Sequence, residues 1–286
     1  MIRNPVTSRQ TEKAKRFYDL HHQGKLLILP NIWDPLGAIL LESLGYPAVA
    51  TASASVAFSN GYDDGENIAF TDVLNILKKI TNSVDIPVSA DVERGFAEND
   101  TELRENTRQL IQTGIVGINI EDTEKKTNSL LPIEVQCQRI RAIKEVAKEM
   151  GVPLFINART DVYIRGKGLD TPQSRFDETL KRGVAYKAAG ADCFYPITLS
   201  DRDDLKKLIE QLQMPVNVVT IAGLPQLSSL DEVGVARVSL GPSFLKIAIR
   251  SMKNLATKLQ NYDGLSDITE NDITSAYLKD LVNKNY

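Results

Sequence analysis

The sequence predicts an α/β fold, a (β/α)8 TIM barrel with an N-terminal helix and extra C-terminal helices, and three observations carry that prediction. Eight short apolar segments recur along the chain with polar residues gathered at their C-terminal ends, and the stretches between them are long enough for one helix each. In four of the segments polar side chains occupy alternate positions. A barrel strand turns one face to the interior and the other to the helices, so those polar groups aim at one axis.

Residues 8–22 read as a helix leading into the first strand at 26–31 (LLILPN). The remaining strands fall at 48–53 (AVATAS), 87–93 (PVSADVE), 117–122 (GINIED), 153–159 (PLFINAR), 193–197 (CFYPI), 215–219 (PVNVV) and 237–241 (RVSLG). Helices are expected at 35–44, 71–82, 101–112, 133–149, 174–189, 201–212, 227–233 and 243–259. Asp34 before Pro35 is a cap followed by proline, Asp100 or Thr101 and Ser200 or Asp201 offer further caps, and Gly45, Gly151 and Gly190 sit where helices should stop. After a polar stretch at 260–271, residues 272–282 are amphipathic, and Ile273, Ala276, Tyr277, Leu278, Leu281 and Val282 need a surface on this barrel or on a neighbouring subunit.

At 286 residues and 42% hydrophobic content the chain suits a single barrel domain spanning 1–286, with 243–286 as its helical extension. The 34 basic and 37 acidic residues are mixed, with no block of one sign that would suit nucleic acid or a membrane surface, so the expected partner is a small anionic substrate. Two cysteines, Cys137 and Cys193, do not make a disulfide framework. The polar N-terminus and the lack of any apolar run of spanning length make a cytoplasmic enzyme the expectation.

In barrels of this kind chemistry stands at the C-terminal ends of the strands, which singles out Asn31, Ser53, Asp91, Glu93, Glu121, Asp122, Arg159 and Asn217. Ser89, Asp91 and Glu93 share one strand face, as do Gly117, Asn119 and Glu121, and Asn157 with Arg159. Asp91, Glu93 and Glu121 are hard oxygen donors suited to Mg²⁺ or Mn²⁺ held largely through water, whereas His21 and His22 read as ordinary surface residues of the first helix. Arg159 offers a planar fork for a carboxylate or phosphonate. The small residues Ser53, Ala54 and Ser55 either cradle an oxyanion or simply fit a crowded mouth. The following loop, 58–66, brings Asp63 and Asp64 within reach of the mouth.

The series NIWDP (31–35), TASAS (51–55), GYDDGE (61–66), DVERG (91–95), NIED (119–122) and INARTD (156–161) resembles the isocitrate lyase/phosphoenolpyruvate mutase superfamily, in order over nearly the whole chain. The resemblance implies a Mg²⁺-dependent barrel that makes or breaks C–C or P–C bonds beside an α-oxo acid, as a homotetramer with exchanged C-terminal helices. It places Asp64, Asp91, Glu93 and Glu121 on the metal side, Arg159 on the substrate anion, and Ser53 with Ala54 in a backbone cradle.

Residues 121–132 (EDTEKKTNSLLP) depart from the Lys-Lys/Arg-Cys-Gly-His loop of the superfamily's lyases, having neither cysteine nor histidine. Lys126–Ser129 (KTNS) is similar to the gating loop of phosphoenolpyruvate mutase and phosphonopyruvate hydrolase, or is a solvated turn. Where the mutase has a histidine after the sixth strand, this chain reads Tyr195-Pro196-Ile197. The expected activity is cleavage of a C–C bond in a small α-oxo or hydroxy di-acid, by a lyase or decarboxylase. The expected catalytic set is Arg159, Glu121, Asn128 and Lys126, and the substrate-binding set is Ser53, Ala54, Ser55, Asp64, Arg159 and Asn217. The alternatives are P–C chemistry, with Asn128 and Lys126 closing over the substrate, and a non-catalytic binding protein for small carboxylates.

Overall fold

The computed structural model describes residues 8–124 and 126–286; the segment 1–7 and Lys125 lie outside the described residues. Helix α1 (Ser8–Leu20) precedes β1 (Leu27–Leu29) and β2 (Asn31–Ile32), which are one stave interrupted at Pro30, a residue with no N–H to donate. There follow α2 (Pro35–Ser43), β3 (Val49–Thr51), α3 (Ser53–Ser59), α4 (Phe70–Ser83), β4 (Val88–Asp91), α5 (Asp100–Gln112) and β5 (Gly117–Glu121). A small hairpin, β6 (Thr123–Glu124) and β7 (Ser129–Leu130), leads to α6 (Ile133–Met150), β8 (Phe155–Thr160), α7 (Val162–Arg165) and α8 (Pro172–Ala189). The barrel is completed by β9 (Cys193–Pro196), α9 (Arg202–Leu212), β10 (Asn217–Val219), α10 (Leu227–Glu232) and β11 (Arg237–Ser239), and the chain ends in α11 (Ser243–Gln260), α12 (Leu265–Thr269) and α13 (Ser275–Asn283).

Every barrel pairing is parallel. One run is β2-β3-β4-β5-β8-β9 and the other β1-β11-β10, and the Phe194–Val216 bridge joins β9 to β10. The barrel therefore closes with eight staves. Outward residues such as Ala90, Ile118, Ile120, Ile156, Ala158, Val218 and Val238 are buried under the helices in one continuous apolar core. Truncating one of these isoleucines to alanine costs about 2–5 kcal/mol.

The helix signals locate the elements that carry the mouth. Asp34 accepts from the Gly37 amide at 2.7 Å just ahead of Pro35. The cap of α5 is Asn99, one residue before the expected pair, and α9 is capped by Asp201. Helix α8 starts at Pro172 behind a Thr171 cap, earlier than the apolar spacing alone suggests. Two short elements were not anticipated: α3, which takes up the small-residue run after β3, and α7, directly after β8.

The N-terminal end of the barrel is plugged by α1. Phe17 is fully buried edge-on to Phe155, and a Cβ at Gly117 would come within 2.8 Å of the Phe17 ring, so only glycine fits there. His21 corrects the surface reading. Its ring packs at 4.2 Å from Phe155 and is buried, while His22 stays outside, stacked on Tyr18 at 4.0 Å. The α1 register explains this, because His21 lies four residues after Phe17 on the same face.

At the other terminus α13 returns to its own barrel. Leu281 is buried, and Lys284 Nζ and the Tyr286 hydroxyl reach Glu42 on α2 at 3.2 and 3.0 Å. Helix α11 buries only Leu245 and leaves Ile247, Ile249, Met252 and Leu259 exposed. No described helix is long and apolar enough to cross a membrane.

Candidate active site

Strand parity delivers the mouth. The β4–β5 register pairs Asp91 with Asn119, and β5–β8 pairs Glu121 with Arg159. Paired residues in a parallel sheet face the same side, so Asp91, Glu121 and Arg159 converge at the C-terminal end. Glu121 Oε2 accepts from Arg159 Nη1 at 3.0 Å. Burial, opposed by Arg159, pushes the Glu121 carboxyl up to about 7. Burial also works against the Arg159 charge, but Glu121 and Asp161 outweigh it and hold the guanidinium charged well beyond its ordinary range.

Asp91 is fixed from the neighbouring stave. Its amide donates to Thr51 Oγ1 at 3.0 Å, and its Oδ2 accepts from the Ser53 amide and hydroxyl at 3.1 and 2.9 Å. The small residues at the start of α3 thus let the chain turn close enough to engage Asp91. Ser53 and Ala54 are partly exposed at the mouth, but Ser55 is fully buried within α3, so it packs the helix and does not face a ligand.

The loop after α3 closes over the same end. The Glu66 amide donates to Glu93 Oε1 at 2.9 Å, Glu66 Oε1 accepts from the amides of Arg94 and Phe96, and Arg94 Nη2 meets Glu66 Oε2 at 2.6 Å. Glu93, Gly95 and Phe96 all have positive φ, a tight turn that presents these amides to one carboxylate. Asp64 is thereby carried to the mouth. Its carboxyl is raised first by burial and then by Asp91, while Glu93 is pushed up to about 8 by burial, with Asp64, Asp91 and Glu121 adding to the shift.

Among the described residues no three His, Cys, Asp or Glu side chains converge tightly enough to grip a metal directly, so Asp91, Glu93 and Glu121 do not form a closed cage. Asp91 engages Ser53 through Oδ2, Glu93 engages Glu66 through Oε1 and Glu121 engages Arg159 through Oε2, which leaves one oxygen of each available. Burial is the main reason the Glu93 and Glu121 carboxyls are raised, so a cation held here would offset the cost of keeping them ionised. An all-oxygen donor set of this kind fits a divalent cation that keeps several waters, as Mg²⁺ does.

Several expected residues fall elsewhere. Asn31 is a structural clasp, donating to Thr51 O and accepting from the Leu240 and Gly241 amides where the barrel closes. Asp122 is buried beneath the mouth and accepts from Thr160, the Asp161 amide, Arg182 and Tyr186. Asn217 begins β10, fully buried below the carboxylates, with its Oδ1 accepting from Ser239 at 3.1 Å, so it does not reach the mouth. Lys126 is highly exposed and pairs with Glu98 at 3.4 Å on the outer rim, away from the carboxylates. Asn128, at the turn of the hairpin with φ 53°, is bonded through its side chain to Arg165.

The sequence reading missed Asp161, whose carboxylate holds Arg159 through Nε at 2.7 Å and Nη2 at 3.0 Å, although INARTD contained the signal two residues on. It also missed Glu66, and it missed Arg237, a fully buried guanidinium inside the barrel on the parity of Ser239.

A family profile described as phosphoenolpyruvate phosphomutase matches residues 17–260. The chain belongs to this family, within the isocitrate lyase/phosphoenolpyruvate mutase superfamily. An uncharacterized protein of Mycobacterium tuberculosis is 34% identical over 79% of this chain and 81% of its own. The 2-methylisocitrate lyase of Bacillus subtilis is 25% identical over 91% of this chain and 87% of its own. Among solved structures, a Burkholderia cenocepacia protein provisionally described as a phosphonomutase is 35% identical, covers 87% of this chain and 98% of its own, and superposes with a TM-score of 0.83.

Proposed function

We propose that this protein is a Mg²⁺-dependent lyase or decarboxylase that cleaves a C–C bond in a small α-oxo or hydroxy di-acid. The observation that carries the reading is the pairing of Glu121 with Arg159 beside Asp91 at the barrel mouth, where fixed anions and one clamped cation face a common point. Asp91, Glu93, Glu121 and Asp64 would hold the hydrated cation, and when bound it supplies Lewis-acid stabilisation of the negative charge that develops on a substrate oxygen. Arg159 binds and orients a substrate carboxylate, and Ser53 with Ala54 lines the approach. The loop at 58–66, pinned by Glu66, brings Asp64 to this end. Bond cleavage leaves an enolate beside these groups. The lyase named among the relatives supports C–C chemistry, and the mixed surface charge supports a small anionic substrate in the cytoplasm. The uncovered apolar residues of α11 support assembly into a homotetramer in which C-terminal helices pack across subunits.

A second reading is P–C chemistry, as in a phosphonopyruvate hydrolase or mutase, favoured by the hairpin that carries Lys126–Ser129 at the rim and by the Burkholderia relative. The purified protein with Mg²⁺ is offered oxaloacetate, substituted malates, methylisocitrate and phosphonopyruvate, with all products followed. Turnover of oxaloacetate or a substituted malate, and none of methylisocitrate, is expected. Preferred turnover of phosphonopyruvate moves the assignment to P–C chemistry, and silence on every substrate despite oxalate binding leaves a carboxylate-binding protein.

A further inference from the structure

C–C cleavage in this site leaves a carbanion to be protonated, and the cysteine and histidine expected of a proton donor are absent from residues 121–132. Cys137 lies in α6, Cys193 is fully buried, and His21 plugs the opposite end of the barrel. Tyr195 is differently placed. The β8–β9 register pairs it with Arg159, so its ring points to the barrel interior at the level of the guanidinium. Its side chain is 5% exposed, and its hydroxyl makes no hydrogen bond to any described residue. A buried tyrosine hydroxyl ordinarily finds a partner, as Tyr186 does on Asp122 at 2.7 Å. The charges acting on Tyr195 are those of the mouth itself: Arg159, Asp91, Arg237 and Asp161.

Arg237 supplies a second reason. It is fully buried, donates through Nε to Ser239 and through Nη2 to Asn119, and leaves Nη1 without a partner. No ion pair to it occurs among the described residues, and a buried charge without a paired counter-ion is costly. Burial opposes its charge, and the groups that favour it are Cys193, Tyr195 and Asp91. Tyr195 therefore feels two guanidinium groups, that of Arg159 paired beside it on β8 and that of Arg237 on β11.

We propose that Tyr195 is the proton donor of this site, delivering its phenolic proton to the carbon of the enolate left by bond cleavage. The inference rests on the lyase reading above. The phenolic O–H bond breaks and leaves its electron pair on oxygen, the enolate π pair forms the new C–H bond, and the phenolate, favoured by the charges of Arg159 and Arg237, regains a proton from water as product leaves. Burial keeps the hydroxyl protonated at neutral pH, Arg159 and Arg237 favour the phenolate, and Asp91 opposes it. A phenol is a stronger acid than the C–H bond being formed, so transfer runs downhill.

The test reads proton transfer apart from bond cleavage. Pyruvate is incubated with protein and Mg²⁺ in D2O, exchange of its methyl protons is followed by NMR, and oxalate binding is measured by calorimetry on the same preparations. Wild type should catalyse exchange, and Tyr195→Phe should slow it by about 100-fold or more, the usual worth of a positioned acid or base. Oxalate affinity and melting temperature should stay close to wild type, because the ring remains and no hydrogen bond is lost. Exchange in Tyr195→Phe at the wild-type rate overturns the proposal, as does loss of oxalate affinity in parallel with exchange, which would mark a role in binding. If wild type exchanges pyruvate but cleaves no di-acid, the lyase reading fails while Tyr195 stands. Decarboxylation of oxaloacetate without exchange of pyruvate places the donor elsewhere.

Discussion

Asp161 grips Arg159 from behind, with Nε at 2.7 Å from Oδ1 and Nη2 at 3.0 Å from Oδ2, and so turns Nη1 toward Glu121. Asp161 is itself anchored, since its amide donates to Asp122 at 2.9 Å and Thr123 donates to its Oδ2 at 3.1 Å. The guanidinium is thus fixed in plane before any substrate arrives. Such an arrangement serves either an anion clamp or a structural ion pair, and the two respond differently to substitution.

Arg159→Lys retains the charge but loses the fork, and a lysine cannot satisfy Asp161 and Glu121 in one plane. Oxalate binding in the presence of Mg²⁺, measured by calorimetry, should weaken by about tenfold or more, in the range that one charged hydrogen bond contributes. Unchanged affinity, together with a large drop in melting temperature, would assign Arg159 to a structural pair with Glu121 and Asp161.

Asp91 receives two bonds from Ser53 and faces the mouth, so its loss should be felt in binding more than in folding. Asp91→Ala should abolish Mg²⁺-dependent oxalate binding while circular dichroism remains that of wild type. A variant that still binds Mg²⁺ and oxalate normally would remove Asp91 from the cation site.

Glu121 and Glu93 titrate near 7 and near 8, above the 4.5 of a free glutamate, so without a cation the folded chain binds protons that the unfolded chain has released. Stability of the metal-free protein should therefore be greatest at low pH within this window and fall as pH rises from about 4.5 to about 8. Chemical denaturation at pH 5.5 and pH 8 in EDTA should show the decline, and Mg²⁺ should reduce it. A flat profile in EDTA would mean that the cluster is already neutralised by the protein.

His21 has the opposite sign. Burial, reinforced by Arg237, lowers its imidazole to about 3, so the unfolded chain takes up a proton below 6.5 that the folded chain refuses. Stability from this group is complete above about 6.5 and is lost as pH falls toward 3. His21→Leu should flatten the acid side of the denaturation profile. A variant as acid-sensitive as wild type would place the sensitivity in another group.

The alternation within PVSADVE, GINIED and PLFINAR encoded which side chains face the axis, and the structure brings Asp91, Glu121 and Arg159 together as that parity requires. Height along the axis was less legible. Asn217 has the correct parity but sits a layer too low, because the stagger of tilted staves is set by pairing across the barrel and not by any one segment. Ser55 was misplaced because α3 begins at Ser53, which changes the period from two residues to about 3.6 and turns Ser55 away from the mouth. Arg237 escaped notice because it begins its stave, where an arginine ordinarily belongs to solvent.

The hairpin β6–β7 is latched to the same carboxylate that holds Arg159. Arg165 Nε reaches Asp161 Oδ2 at 3.2 Å, and its Nη1 bonds the Asn128 side chain at the hairpin turn. Two short strands joined only to each other have little stability alone, so this latch should govern how often the hairpin opens. Arg165→Ala removes both the bond to Asn128 and the ion pair to Asp161, and trypsin should then cut after Lys126, an exposed bond, several times faster than in wild type. Asn128→Ala should reproduce the effect, since it breaks the same link from the other side. If the hairpin also closes on ligand, Mg²⁺ with oxalate should slow cleavage in wild type and slow it less in Arg165→Ala. Equal cleavage rates in all three proteins would show that the Asp122–Leu131 end, where the Leu131 amide donates to Asp122 O at 2.8 Å, holds the hairpin by itself.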